Sequence, residues 1–489
     1  GMHVLVIMTD ITNYAEALLT GSDVVLRLAG LGLRIGLDCA MESYPQWDTV
    51  FVPTLLRCEK TYFWGFLSSP LGRRLGIYSP DPIASWHLDY NRFFADGGHR
   101  IMTFCLDFLQ SGKLPDRHPQ SQPLKPWETR RWRIEIAELA PEQTVPSWLA
   151  EKGVPVFAGE RWSAECRSPL EFELLSRTEP TLMAEGRPVP CLLKKSGVYT
   201  VRLESDQPRE LRLTVSNGKH QSEAWVQFIH PWRTIMEEAA RQSLSQPQKM
   251  GTHCESWYGL FTGAAAILHH LDFDCAAYLE KVRELVSLGF DVEQGCPTVH
   301  PGRIQNTACM IGLMADLGAA LHSTEPLELG AKLADWLIEH SQREDGAFCN
   351  GKGKHYTSVI YIAKSLLELV LEERRQPEAS WHARAQRHFE AAKRAIDELA
   401  LHRDNIETEG LATLEDGMLT CSVAQLTMLA KMLEPEERRP YIEAAECLVR
   451  KHRCLERSVV ADSRCSGTTL RFWEAQYDVL TMGNMINSP

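Results

Sequence analysis

Two kinds of helical segment alternate in the second half of the sequence. Residues 307–321 read TACMIGLMADLGAAL and are apolar around most of the helix, whereas residues 380–402 read SWHARAQRHFEAAKRAIDELALH and carry charge on one broad face. A helix that is apolar on all sides is typical of a fully buried position, and one charged face is typical of a half-exposed position. The alternation predicts hairpins that each pair a buried helix with a half-exposed one.

The same alternation continues over residues 232–489. About ten amphipathic segments follow one another there, and the buried type recurs at residues 358–371 and 421–433. Buried and half-exposed helices in turn are what concentric rings of helical hairpins produce, so we expect a helical toroid domain over residues 232–489. The predicted helix starts are near Trp232, Trp257, Asp274, Gln305, Glu325, Thr357, Ser380, Thr420, Pro435 and Leu470.

Ahead of the helices, the pattern of apolar residues changes to period two. Apolar and polar residues alternate over residues 199–203 and 211–216, and Asn217-Gly218 follows the second run. Asn-Gly between alternating runs is a hairpin signal, and several short strands with this pattern are typical of a sandwich. We predict an immunoglobulin-like β-sandwich over residues 141–231. Strand-like runs broken by turn residues predict a further β-sandwich domain over residues 1–140.

Composition and charge exclude several classes of protein. The 489 residues contain 52 Lys and Arg against 64 Asp and Glu, so the net charge of −12 repels nucleic acid and anionic lipid. No apolar run approaches the roughly 20 residues of a membrane-spanning helix, and no secretory signal pattern is present. We therefore expect neither nucleic acid nor a membrane as a partner.

The 14 cysteines bear on location and on cofactors. They are scattered without a CxxC pair or a zinc-like Cys/His quartet, which favours a reducing compartment, so we expect a cytoplasmic location. No HxH, HExxH or acidic calcium loop appears either. We expect no metal and no other cofactor.

The loops before the buried helices share an unusual composition. They are rich in acidic, histidine, arginine and aromatic residues and recur about every 50 residues. In a ring of hairpins these loops all emerge at one end, so we expect the functional site at that mouth. The loops are residues 251–258 (GTHCESWY), 300–306 (HPGRIQN), 345–358 (from DGAF to HYTS), 414–418 (LEDGM) and 462–478 (from DSRCSG to WEAQYD).

These motifs carry a resemblance to a known family. With EDGM at residues 415–418, HYTS at 355–358 and LRFWEAQYD at 470–478, the chain from about residue 50 onward resembles the six-hairpin, (α/α)6-toroid glycosidase-like superfamily. The resemblance implies carbohydrate-active chemistry, often on glycans that contain uronic acids. Six hairpins need twelve helices, so with about ten predicted, either the last hairpin is missing or another element closes the ring.

A second resemblance concerns the start of the sequence. Residues 3–18, HVLVIMTDITNYAEAL, resemble a segment of the non-catalytic nucleotide-domain subunit of rotary V/A-type ATPases. The resemblance stops near Leu19, and no glycine-rich phosphate loop precedes it. We therefore expect no ATPase function from this segment.

Carboxylates at the predicted mouth point to glycoside hydrolysis. That reaction needs a proton donor for the leaving oxygen and a second carboxylate as base or nucleophile. We predict Asp416 and Glu474 as this acid/base pair. Arg471, three residues before Glu474, would share its helix face and keep it ionised. Asp416 is equally compatible with a helix cap, and Glu474 with a structural ion pair. The reserve catalytic candidates are Glu415 and Asp345, although Asp345-Gly346 also favours a turn.

Other residues of the same loops are suited to holding a sugar. Arginine binds a uronate carboxylate through two parallel hydrogen bonds, histidine binds hydroxyl groups, and aromatic rings pack on sugar faces. Each aromatic residue also has core packing as an alternative role. The predicted substrate-binding residues are His253, Trp257, His300, Arg303, His355, Tyr356, Arg464, Arg471, Trp473, Tyr477 and Asp478.

Two alternatives to hydrolysis stay open. A polysaccharide lyase would use Tyr356, His300 or His355 to remove the proton beside a uronate carboxylate, with arginine or histidine neutralising that carboxylate. A glycan-binding protein would have lost catalysis together with the sixth hairpin. The sequence thus predicts a glycoside hydrolase acting on an oligosaccharide or polysaccharide, uronate-containing or related, with a lyase or a binding protein as alternatives.

Overall fold

A computed structural model shows a β unit followed by a helical unit, which divide near residue 230. This confirms a multidomain chain of β structure followed by helices. The described residues are 31–35, 52–53, 64–68, 74–83, 85–91, 101–109, 132–140, 142–159, 161–245, 257, 259–350, 362–403 and 416–452.

The described part of the β unit contains four sheets, which are antiparallel except where β16 pairs with β9. Their strand orders are β1-β6-β5, β2-β3-β4-β7, β13-β14-β10-β8 and β12-β11-β15-β16-β9. The strands are β1 Leu31–Ile35, β2 Val52–Pro53, β3 Trp64–Ser68, β4 Arg74–Tyr78, β5 Ser85–Asn91, β6 Ile101–Leu109, β7 Glu135–Leu139, β8 Val156–Ala158, β9 Ser163–Glu165, β10 Leu170–Leu175, β11 Thr181–Ala184, β12 Arg187–Val189, β13 Leu192–Lys195, β14 Val198–Leu203, β15 Arg209–Ser216 and β16 Gln221–Ile229.

The predicted Asn-Gly hairpin joins β15 to β16. Ser216 pairs with Gln221, and the Asn217 side chain accepts a hydrogen bond from the His220 backbone N–H at 2.8 Å. Gly218 has a φ of +83°, a conformation that disfavours residues with a side chain. Local turn chemistry therefore fixes the register that buries alternate residues of β15.

One continuous core runs through the β unit. Trp64 and Ile77 from its first strands belong to the same buried cluster as Leu174 and Val226. The division at residue 140 accordingly stays a prediction. The cluster also includes Trp148, from a helix α1 (Val145–Glu151) that the sequence analysis did not predict. This helix begins with a capping box between Thr144 and Ser147.

The described helical unit contains nine α-helices. Side-chain caps begin two of them. Asp274 accepts a hydrogen bond from Ala277 N–H before the helix at Cys275, and Ser323 accepts one from Glu325 N–H before the helix at Thr324. A short pair of strands, β17 (Phe290–Asp291) and β18 (Cys296–Pro297), follows the third of these helices. The helices are α2 Trp232–Ser245, α3 Gly259–Leu268, α4 Cys275–Gly289, α5 Ile304–Leu321, α6 Thr324–Ser341, α7 Ile362–Arg374, α8 Ala379–Leu401, α9 Asp416–Met432 and α10 Arg439–His452.

The helices pack as side-by-side hairpins. α2 packs on α3, α5 on α6 and α7 on α8, while α3, α5, α7 and α9 contact one another in chain order. We call these four the inner helices. Small residues bring the helices close: a Cβ on Gly318 would lie 2.4 Å from Leu327, and one on Gly263 would lie 2.1 Å from Tyr278. The six-hairpin toroid stays a prediction, and the predicted helix near Leu470 lies outside the described residues.

Two predicted helix starts differ from the structure, and the start predicted near Thr357 lies outside the described residues, which resume at Ile362. The helix predicted near Thr420 begins at Asp416. The helix predicted near Pro435 is preceded by a three-residue 3₁₀ turn, Pro435–Glu437, and starts at Arg439, with Pro440 in its first turn where no amide hydrogen is needed.

One of the described helices, Ile304–Leu321, is long and apolar enough to cross a membrane by length and composition alone. In the folded chain, 78% of that stretch is buried inside the protein. This burial is what a core helix of the hairpin packing requires.

Candidate functional site

The structure describes some of the predicted site residues. Trp257 precedes α3, His300 and Arg303 precede α5, Asp345 lies in the segment after α6, and Asp416 is the first residue of α9. For Asp416 only the backbone position is described. The remaining predicted residues lie outside the described residues: His253, His355, Tyr356, Glu415, Arg464, Arg471, Trp473, Glu474, Tyr477 and Asp478.

A tight turn brings His300 and Arg303 to the start of α5. The Arg303 backbone N–H donates to the His300 carbonyl at 2.8 Å, and His300 has a φ of +51°. The Arg303 side chain makes no capping hydrogen bond, and it forms no ion pair with a described residue. A cation beside the unsatisfied N–H groups of a helix start is favourable for an anionic group.

Buried polar atoms collect near the starts of α3 and α5. Trp257 Nε1, Gln305 Oε1 and Thr307 Oγ1 are buried without a hydrogen-bond partner among the described residues. Leaving such a group unsatisfied costs about 1–3 kcal/mol. Unpaired buried groups are uncommon in folded proteins, so they mark this end of the helices as a place for water or ligand.

Asp345 occupies a turn that is attached to the outer helix α8. Its Oδ1 accepts a hydrogen bond from Ala347 N–H at 3.1 Å, and its Oδ2 lies 3.3 Å from the Arg343 guanidinium. Gln342 donates to the carbonyls of Gly346 and Ala391, at 2.9 and 2.8 Å, and so fixes the turn on α8. The contacts of Asp345 are those of a turn residue.

A group of charged residues that the sequence analysis missed lies between the inner helices α5 and α7. Lys364 Nζ is 2.5 Å from Glu368 Oε1, and a Cβ on Gly312 would lie 3.5 Å from Glu368 Oε2. Asp316 is one turn after Gly312 on α5, so it shares the face that Gly312 turns toward α7. Ile311 and Met314 lie instead against Gly330 of α6. We call Asp316, Lys364 and Glu368 the interior polar group.

Charge and burial set the protonation of this group. Burial is the largest cause that raises the pKa of Asp316 to about 7. The negative charges of Glu368 and Glu372 add to it, and the positive charge of Lys364 opposes it. Yet solvent reaches the Asp316 side chain. The carboxyl group is therefore open to solvent while the protein around it shifts its pKa. Burial lowers the pKa of Lys364, but the charge and hydrogen bond of Glu368 outweigh burial and raise it overall, so the lysine stays charged.

A signal for the interior polar group is present in the sequence. Asp316 is the one charged residue of the apolar helix α5, and Lys364 and Glu368 are spaced i, i+4 on α7. An ionisable residue in an otherwise apolar buried helix points to a function or a buried pair. Among the described residues, no cluster of three or more His, Cys, Asp or Glu could hold a metal ion.

Comparison with solved structures shows the fold of the chain. A polysaccharide lyase superposes with a TM-score of 0.57 at 12% identity, over 93% of this chain and 71% of that chain. A family 76 glycoside hydrolase from a bovine Bacteroides thetaiotaomicron strain superposes with a TM-score of only 0.32 at 10% identity, over 68% of this chain and 85% of that chain. The first likeness shows a shared fold, whereas the second is too weak to support an argument. No family model and no curated protein matches the sequence.

Proposed function

We propose that this protein is a carbohydrate-active enzyme that cleaves a glycan by hydrolysis. The observation that carries the proposal is the interior polar group, in which a carboxyl group and an ion pair lie between inner helices. Some hydrogen-bonding atoms of this group have no partner among the described residues. Charged groups in an otherwise apolar helical interior suit a polar ligand with many hydroxyl groups. The fold shared with a polysaccharide lyase supports the same class of substrate.

The proposed chemistry uses two carboxylates of the predicted mouth. A proton from one goes to the leaving glycosidic oxygen, and the second acts as base or nucleophile. Asp416 and Glu474 are our proposed pair. Arg303, which makes no ion pair with a described residue, would bind a uronate carboxylate of the substrate.

Elimination is the second candidate, because a solved structure that shares the fold is a polysaccharide lyase. In that reaction a base, for which we propose Tyr356, His300 or His355, removes the proton beside the uronate carboxylate. Arg303 would neutralise the carboxylate, which stabilises the charge that develops there.

Product analysis separates the two reactions. The purified chain is incubated with uronic-acid oligosaccharides, and reducing ends and ultraviolet absorbance are followed together. New reducing ends without absorbance support hydrolysis, whereas absorbance from an unsaturated product supports elimination. If neither signal appears across a broad panel of glycans, the proposed enzymatic function is wrong.

Substitutions then test the proposed pair. We expect Asp416→Asn and Glu474→Gln each to lower kcat by about 100-fold or more, the usual contribution of acid/base catalysis. The melting temperature should stay within a few degrees of wild type. Glu390→Gln, which changes an exposed carboxylate of α8, is the control and should keep full activity. Near-normal rates for either member of the pair would remove it from the mechanism.

A further inference from the structure

We propose that the interior polar group binds the terminal sugar ring of the glycan through its hydroxyl groups, so that the enzyme acts from chain ends. This inference rests on the proposed function and names the part of the substrate that the interior recognises. It is based on three observations: hydrogen-bonding atoms of the group that no described residue uses, the position of the group along α5, and a buried amide on the same face of α5.

The group has donors and acceptors that no described residue uses. Lys364 donates one of its three N–H bonds, to Glu368 Oε1, and Glu368 Oε2 accepts no hydrogen bond from a described residue. The Asp316 carboxyl group makes no hydrogen bond or ion pair with a described residue. Donors and acceptors close together are what neighbouring sugar hydroxyls require, since each hydroxyl both donates and accepts.

The group is accessible yet deep. The side chains of Lys364 and Glu368 are 18% and 28% exposed. Gly312, beside the Glu368 carboxylate, lies eight residues after the start of α5, which is about 12 Å along the helix axis. We expect a glycan to enter from the helix starts, where unpartnered polar side chains collect, so that its end reaches this depth. This geometry favours recognition of a terminal ring.

A buried amide on the same face provides an independent indication of a ligand. Gln305 is seven residues before Gly312, and residues at this spacing share one face of a helix. Its side chain is only 7% exposed, and its Oε1 has no hydrogen-bond partner among the described residues. Polar groups without a hydrogen-bond partner among the described residues therefore line α5 from Gln305 to Asp316.

Protonation of Asp316 supports the same role. With its pKa raised to about 7, the carboxyl group carries a proton in mildly acidic solution and donates one hydrogen bond while accepting others. Above that pH it becomes a further negative charge near Glu368 and Glu372 and loses its donor. Binding of the terminal ring should weaken accordingly.

A comparable ion pair on the outer helix α8 shows the contrast with a purely structural pair. Lys393 and Asp397 have the same i, i+4 spacing, and Lys393 Nζ lies 2.9 Å from Asp397 Oδ2. There the carboxylate also accepts a hydrogen bond from Tyr441 of α10, so both of its oxygens are used. This pair provides a matched control for Lys364 and Glu368.

The test uses the full chain and glycans labelled at the reducing end, both neutral and uronate-containing. We expect early products to arise stepwise from one end. We expect Glu368→Gln to raise KM about tenfold or more, as for a lost hydrogen bond to a charged group, with little change in kcat. Lys364→Met should also raise KM, whereas the control Lys393→Met should leave KM and kcat unchanged. Melting temperatures show that each variant is folded, and calorimetric titration with the same glycans measures binding without turnover.

The outcomes separate this inference from the proposed function. Cleavage that begins at internal bonds, or an unchanged KM in a folded Glu368→Gln variant, would overturn the inference and leave the enzymatic function standing. Binding that weakens in Glu368→Gln without any cleavage would support the inference and overturn the function. If the panel shows no cleavage and no binding, both the inference and the proposed function are overturned.

Discussion

Replacing His388 with leucine should destabilise the helical unit strongly. The imidazole of α8 is completely buried, with Nδ1 2.9 Å from the carboxylate of Glu373 on α7 and Nε2 3.1 Å from Asp335 Oδ1 on α6. Glu373 is itself fully buried, whereas Asp335 is 41% exposed and also binds Arg387. His388 therefore connects three helices through two carboxylates.

The expected magnitude follows from the burial of both partners. Removing one partner of a buried ion pair leaves an uncompensated charge and costs about 3–5 kcal/mol. His388→Leu strands Glu373 in this way. The double variant His388→Leu with Glu373→Leu removes both charges and should recover most of that loss. Arg387→Ala, which breaks an exposed pair with the same Asp335, should cost less than about 1 kcal/mol and serves as the control.

The pH dependence gives a second measurement. Burial lowers the pKa of His388, but hydrogen bonds to Asp335 and Glu373 outweigh it and raise the pKa overall. The stability from the charged imidazole is therefore fully present below the unfolded value of about 6.5 and lost as pH rises through the raised folded pKa. Hydrogen bonds from His388 and Arg387 outweigh burial and lower the pKa of Asp335, so its contribution is present above about 3.9 and lost as pH falls through the lowered folded value.

Urea unfolding followed by circular dichroism, at several pH values between about 4 and 9, measures both effects. The alkaline loss of stability should be smaller in His388→Leu than in the wild type. A single variant within about 1 kcal/mol of wild type, or a double variant less stable than the single one, would refute the reasoning.

Two further stability predictions concern Asp316 and Gly346. The pKa of Asp316, about 7, exceeds the unfolded value of about 3.9, so the folded state binds the extra proton and loses stability as pH rises through this window. Asp316→Asn should therefore raise the melting temperature relative to wild type above pH 7, with a smaller difference near pH 4, and an equal difference at all pH values would contradict this. Gly346 has a φ of +94°, and a Cβ there would lie 2.5 Å from the Arg394 carbonyl, so Gly346→Ala should cost more than about 1 kcal/mol in urea unfolding. Gly186→Ala, at a φ of +78° in open space, is the control and should cost less.

The sequence was most informative where the deciding interactions are local. Asn217-Gly218 specifies its turn through the conformation of two residues, and the structure has that hairpin. The apolar stretch of α5 and the charged face of α8 likewise predict their burial, because helix periodicity alone decides which residues share a side. Helix ends were less predictable, as the early start of α9 at Asp416 shows, because the propensities of neighbouring residues differ little.

Contacts between distant segments could not be derived from the sequence. The turn that contains Asp345 is attached to α8 through the Gln342 amide and the Ala391 carbonyl, which are 49 residues apart. Asp316 and Glu368 come together only because Gly312 permits α5 and α7 to approach closely. Neither of these long-range contacts has a signature in a single sequence. The lone charge of α5 and the i, i+4 pair of α7 are visible there, but their meeting is not. Carboxylates in the loops were therefore predicted as site residues, and Asp316 was not.

The sequence by itself determined the order of β structure and helices, the buried and exposed faces of the helices, and the acidic charge. These properties depend on neighbours within a few residues or on simple counts. Only the tertiary structure decided which charged residues meet inside the helical unit and whether solvent reaches them. The physical reason is that burial, pKa and hydrogen-bond partners depend on atoms that packing brings together from distant parts of the chain.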